Sequence, residues 1–131
     1  MRIALLATAG LSLAGFLYVA VVLPHVSGAE ARDAAQALIS GAQAAQLQVA
    51  GAAERMGRLE GSGRGVRLAP REHDRHGEMK WVVEPGGAIR GWNERNVIEI
   101  LLRPALQDGR VTWNCRGYPR VAMPAGCGGR G

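Results

Sequence analysis

The spacing of apolar positions divides the chain into three parts. Ile3 to Leu23 is an apolar run of 21 residues without a single charge. At 1.5 Å per residue it predicts a helix of roughly 30 Å, the thickness of a bilayer's hydrocarbon core. From Pro24 to Leu59 the apolar residues Val26, Ala34, Leu38, Ala42, Ala45, Val49, Ala52 and Met56 recur mostly at spacings of three and four. That is one face of an amphipathic helix, narrow and alanine-rich enough to lie closely on a sheet. Pro24 is expected to bend the helix without breaking it, and Gly61-Ser62-Gly63 to stop it. Residues 61–79 then read as a polar loop with one short strand near Val66–Leu68. Strand-type runs follow at Lys80–Glu84, Ala88–Trp92, Asn96–Arg103 and Arg110–Cys115. Pro85-Gly86-Gly87, Asn93-Glu94-Arg95 and Gln107-Asp108-Gly109 separate them as turns, so the pattern predicts an antiparallel meander of four strands.

The organisation expected is therefore a transmembrane anchor over 1–24, an amphipathic continuation of its helix over 25–60, and a linking loop, sheet and cysteine loop over 61–131. A cleaved secretory signal is the competing reading of the N-terminus, with Arg2 ahead of the apolar run and Ser27-Gly28-Ala29 as the exit. The run exceeds the about 7–15 apolar residues of such signals, which favours a retained anchor. Either way the remainder is exported, giving a single-pass inner-membrane protein with its C-terminal domain in the periplasm.

Composition narrows this further. A length of 131 residues allows one small domain and excludes a two-domain enzyme. A hydrophobic share of 47% excludes disorder of the whole chain, and two cysteines exclude a cysteine-rich scaffold. Cys115 and Cys127 are expected to pair in an exported domain, and closing so short a loop contributes about 3 kcal/mol on the chain-entropy estimate. Zinc is not expected, because two further ligands at metal-site spacing are missing near the pair. His73-Asp74-Arg75-His76 reads as a solvated loop and not as a metal or acid–base group, and His25 as a membrane-boundary residue. Neither a nucleophile elbow nor a dinucleotide fingerprint is present. No enzyme, cofactor, metal or small-molecule substrate is expected.

The net charge is +5, and residues 61–131 alone hold twelve Lys/Arg against seven Asp/Glu. Arg64, Arg67, Arg71, Arg75 and Lys80 cluster in sequence, while Arg116, Arg120 and Arg130 surround the cysteine loop. Such a face suits phosphates, with Trp81, Trp92 and Trp113 as candidate base-stacking residues. The plainer readings are a basic solvated face and tryptophans in the core.

The C-terminal third resembles type IV pilins and pilin-like proteins. Gly109-Arg-Val-Thr-Trp113-Asn-Cys115, then Tyr118-Pro119-Arg120, then Met123-Pro124-Ala-Gly-Cys127, follow the family's strand-and-cysteine-loop pattern. Val97-Ile-Glu-Ile-Leu-Leu-Arg-Pro104 is similar to its penultimate strand. Leu23-Pro24, Glu30-Ala-Arg32 and Ala37-Leu-Ile-Ser-Gly-Ala-Gln43 are similar to its N-terminal helix. The resemblance implies an α+β fold, a long N-terminal helix packed on a four-stranded antiparallel sheet. It implies a structural role through protein–protein contact with other pilins or pilus assembly proteins, at the inner membrane or in surface pili. The family's leader and its glutamate near the start of the mature helix have no counterpart here. That difference points to a minor or accessory component instead of the bulk fibre subunit. The alternatives are a DNA-binding pilin-like receptor for DNA uptake, a signal-cleaved periplasmic protein with an unrelated partner, and a decayed pilin gene.

Overall fold

The computed structural model describes residues 23–128. Two helices come first, α1 (Leu23–Gly41) and α2 (Gln43–Met56). Among the described residues five strands follow: β1 (Arg71–His73), β2 (Gly77–Val83), β3 (Ile89–Asn93), β4 (Ile98–Gln107) and β5 (Arg110–Tyr118). They form one sheet in the order β1-β2-β3-β4-β5, every neighbouring pair antiparallel. Short 3-10 turns at Arg120–Ala122 and Ala125–Cys127 close the described chain.

This corrects the expected fold, a long helix on four strands, in two ways. The helix is divided at Gly41–Ala42. Ala42 N–H bonds the carbonyl of Ile39 at 3.2 Å, a tighter turn than the α-helical one. Leu38 O instead accepts from Trp81 Nε1 at 3.0 Å, so the sheet supplies the donor that the helix withdraws. A Cβ on Gly41 would meet Trp81 Cζ2 at 2.5 Å; only glycine lets the indole lie there. The second correction is the extra strand, β1, which stands at Arg71–His73 where a strand near Val66–Leu68 was expected. Its three residues are polar and two of them are exposed, so no apolar alternation announces it. A short, charged edge strand of this kind also discourages pairing with other chains.

α2 ends at Gly57 (φ 70°), whose N–H and that of Arg58 both bond Ala53 O, a glycine cap four residues before the expected stop. The alanine stripe is covered by this chain's own sheet. Ala34, Leu38, Ala42, Ala45, Val49 and Ala53 are all buried, opposite Met79, Trp81, Ile89, Ile100 and Leu102. Past Val49 the stripe turns to Ala53, leaving Met56 exposed.

β4 continues through Pro104 to Gln107. β3 pairs with it only as far as Leu102, so Pro104 lies where the strand has a single neighbour and tolerates the missing donor. Asp108 and Gly109, both at positive φ, make the two-residue hairpin turn to β5. Cys115 and Cys127 form a disulfide that folds the C-terminal segment back on β5.

Among the described residues no helix is long and apolar enough to cross a membrane. The single-pass inner-membrane placement is corrected on that finding. Apart from Leu23, the apolar run that suggested it lies outside the described residues, as does Arg130.

Candidate functional site

Strand alternation sorts the sheet into two faces. Met79, Trp81, Ile89, Gly91, Ile98, Ile100 and Leu102 turn toward the helices and are buried. The opposite face carries two cross-strand rows, Lys80–Trp92–Glu99–Tyr118 and Val82–Arg90–Leu101–Arg116. Among the described residues no helix packs on these positions: Val82, Arg90, Glu99, Arg116 and Tyr118 are exposed, and Trp92 and Leu101 half-buried. The three tryptophans thus have different roles. Trp81 is core, Trp113 lies half-buried against the core, and Trp92 faces outward.

At the β3–β4 end, Trp92, Val97, Ile98 and Tyr118 line a groove of about 420 Å³ with Glu94 and Glu99 on its rim. Val97 is 71% exposed and Tyr118 70% exposed. Val97 sits at φ 52°, a left-handed conformation that a β-branched residue adopts at a cost of about 1–3 kcal/mol. Asn93 holds the turn: its Oδ1 accepts from Asn96 N–H at 3.1 Å, and its Nδ2 donates to His76 O at 2.8 Å. Val97→Asn, which tolerates this backbone, is expected to stabilise the domain by about 1 kcal/mol. Thermal melts of the two proteins check this; an unchanged or lower midpoint would show that the valine is unstrained.

The arginine and lysine candidates do not gather into one patch. Arg64 and Arg67 flank a cleft beside Val82 and Pro85. Arg71 stands exposed on edge strand β1, and Arg75 is ion-paired with Asp33. Lys80 bonds Glu78 at 2.9 Å and approaches Glu94 at 3.9 Å, and these acids hold its ammonium above the usual lysine range. Arg90, likewise held up by Glu84 and then Glu99, is the centre of a second cross-strand pair set. Arg116 and Arg120 share another cleft, of about 360 Å³, with Gly117, Cys127 and Gly128. That cleft lies at the β5 edge, four strands from Arg71 and Arg75, roughly 19 Å across the sheet at the usual strand spacing.

The loop His73-Asp74-Arg75-His76 also departs from its expected solvation. His76 is 1% exposed, with Nε2 2.7 Å from Asp33 Oδ2 and Nδ1 3.1 Å from Asn96 Nδ2. The hydrogen bond to His76, with Arg75 beside it, holds the Asp33 carboxyl below its ordinary 3.8. A depressed folded value means the contribution is whole above the unfolded pKa and fades as pH falls through the folded one. Asp33→Asn is therefore expected to flatten the acid limb of the stability curve below about pH 4, measured by urea titration at stepped pH. An unchanged limb would count against the pairing.

Sequence reasoning missed Trp92, Val97 and Tyr118 as a surface set, and Asp33 altogether. The outward parity of Trp92 with Lys80 was the available signal, once the β2–β3 register was fixed. The chain matches no family model, no curated protein and no solved structure.

Proposed function

We propose that this protein works by protein–protein contact, as an accessory component of a pilus-type assembly, and not as an enzyme. The observation that carries the reading is the sheet face left uncovered among the described residues, ending in the Trp92–Val97–Tyr118 groove. Aromatic residues around an apolar floor are the usual composition of a binding hot spot. Glu94 and Glu99 line the groove beside Lys80 and Arg90, so the mouth is mixed in charge and the occupant is a partner segment that presents an apolar anchor with polar flanks. The pilus setting rests on the resemblance of the C-terminal pattern, whose two cysteines are bonded to each other.

The test is a photocrosslinking residue at Val97, with a second at the exposed helix position Leu47, in cells of the source organism. A pilus-system protein crosslinked from position 97, and lost in Trp92→Ala or Glu99→Lys, is the expected result. Crosslinking from position 47 alone would move the interface to the helices and sink the reading. DNA capture is the second reading, favoured by the cleft that Arg116 and Arg120 share. Charge reversal at both positions abolishes salt-sensitive DNA retention on that reading and changes nothing on the first.

A further inference from the structure

The side chains of Asp33, His73 and His76 each offer one donor atom within 4.8 Å of the others. Asp33 comes from α1, and the two histidines flank the β1–β2 turn, so the cluster spans the joint between helix and sheet. The imidazoles stack with centroids 4.6 Å apart. Two neutral histidines with one carboxylate are a ligand set for a borderline divalent cation such as Zn²⁺, with a fourth position left for water. Bonds of about 2.0–2.2 Å bring two ligands on one ion to within about 4.2 Å of each other. The half-exposed His73 therefore has only a short movement to make.

Three further features fit such a site. His76 is held from behind by Asn96, whose Nδ2 stands 3.1 Å from its Nδ1, with Glu30 Oε2 at 3.7 Å. A cation on Nε2 moves the ring proton to Nδ1, so the Asn96 amide must turn away and Glu30 close in to complete the carboxylate–histidine–metal arrangement of many sites. His73 Nδ1 accepts from the backbone N–H of Arg75 at 3.2 Å and of His76 at 3.3 Å, which fixes the ring over the turn. Finally, Arg75 already places a positive charge on Asp33 Oδ2, although its own side chain is 59% exposed. A guanidinium so exposed is a cation that another cation can displace.

We infer that Asp33, His73 and His76 form a divalent transition-metal site that ties α1 to the β1–β2 hairpin, with Arg75 as the occupant that the metal displaces. This is independent of the groove and of any partner bound there.

The experiment is titration of the untagged full-length chain with Zn²⁺, followed by calorimetry and thermal melting, with Co²⁺ absorption as a readout of ligand geometry. His76→Ala removes a buried side chain and risks unfolding, so the test variants are His73→Asn and Asp33→Asn. The asparagine at 73 retains an acceptor for the two turn N–H groups. The expected result is one ion per chain, a higher melting temperature with zinc, and at least tenfold weaker binding in both variants. Arg75→Ala should bind several-fold more tightly. Absence of stoichiometric binding, or equal binding in His73→Asn and Asp33→Asn, overturns the site. Unchanged affinity in Arg75→Ala overturns the placement of the ion on Asp33.

Discussion

Replacing Cys115 and Cys127 together by alanine should lower the unfolding free energy by about 3 kcal/mol. The two cysteines are 12 residues apart in sequence, and opening the cross-link returns loop entropy to the unfolded chain. For a domain of this size the melting temperature would fall by roughly 10–20 °C. Cys127 is 1% exposed beside Ala122 and Met123, so the lost sulfur also removes buried contacts. A reductant acting on the wild-type protein should reproduce most of the loss, which separates the cross-link from the packing of the replacement. A fall of under about 1 kcal/mol would mean that residues 119–128 are held by their own contacts. Arg32 Nε, at 3.4 Å from Val121 O, is the contact from α1 that would then matter.

The second large effect is expected at Trp81. Its indole lies between two glycines: a Cβ on Gly41 would meet Cζ2 at 2.5 Å, and one on Gly91 would meet Cδ1 at 2.8 Å. Trp81→Ala should cost about 3–5 kcal/mol, the usual loss for a buried aromatic. It also leaves Leu38 O without the donor that the helix break requires. Gly41→Ala should destabilise the wild-type protein, because the ring of Trp81 stands where the methyl would go. In the Trp81→Ala background the same change should become stabilising by up to about 1 kcal/mol, since alanine is the better helix former once the ring is gone. A double-mutant cycle by urea unfolding checks the reversal of sign. Additive effects would show that Gly41 and Trp81 are not coupled, and that the break in the helix has another cause.

How far the fold was legible in the sequence depended on whether its cause was local. The Asp108-Gly109 turn carries its own conformational preference, and the last four strands alternate strongly enough to be read from the chain, though their ends shifted. The helix break could not be read that way. Gly41 and Ala42 are unremarkable in an alanine-rich helix until Trp81, some forty residues on, presses against them and bonds Leu38. β1 was hidden because Arg71, Glu72 and His73 have no apolar period; only their pairing with Gly77–Met79 makes them a strand. The His76–Asp33 pair spans 43 positions, so a reading that looked for ligands near His73 and His76 found none. The outward groove was half legible: the aromatics were noticed, but which face each would take awaited the register of β2 against β3.

The order of the strands has a consequence for how the molecule is made. Each strand's neighbours in the sheet are also its neighbours along the chain, so sheet formation needs only closures of short hairpins, each on a timescale of roughly microseconds. No strand has to wait for a distant partner, and little loop entropy is lost at any one step. The long-range step is the docking of the helix pair, which precedes the sheet in sequence but cannot bury its alanine face until β2 to β4 exist. During synthesis that face emerges before any of the strands that cover it.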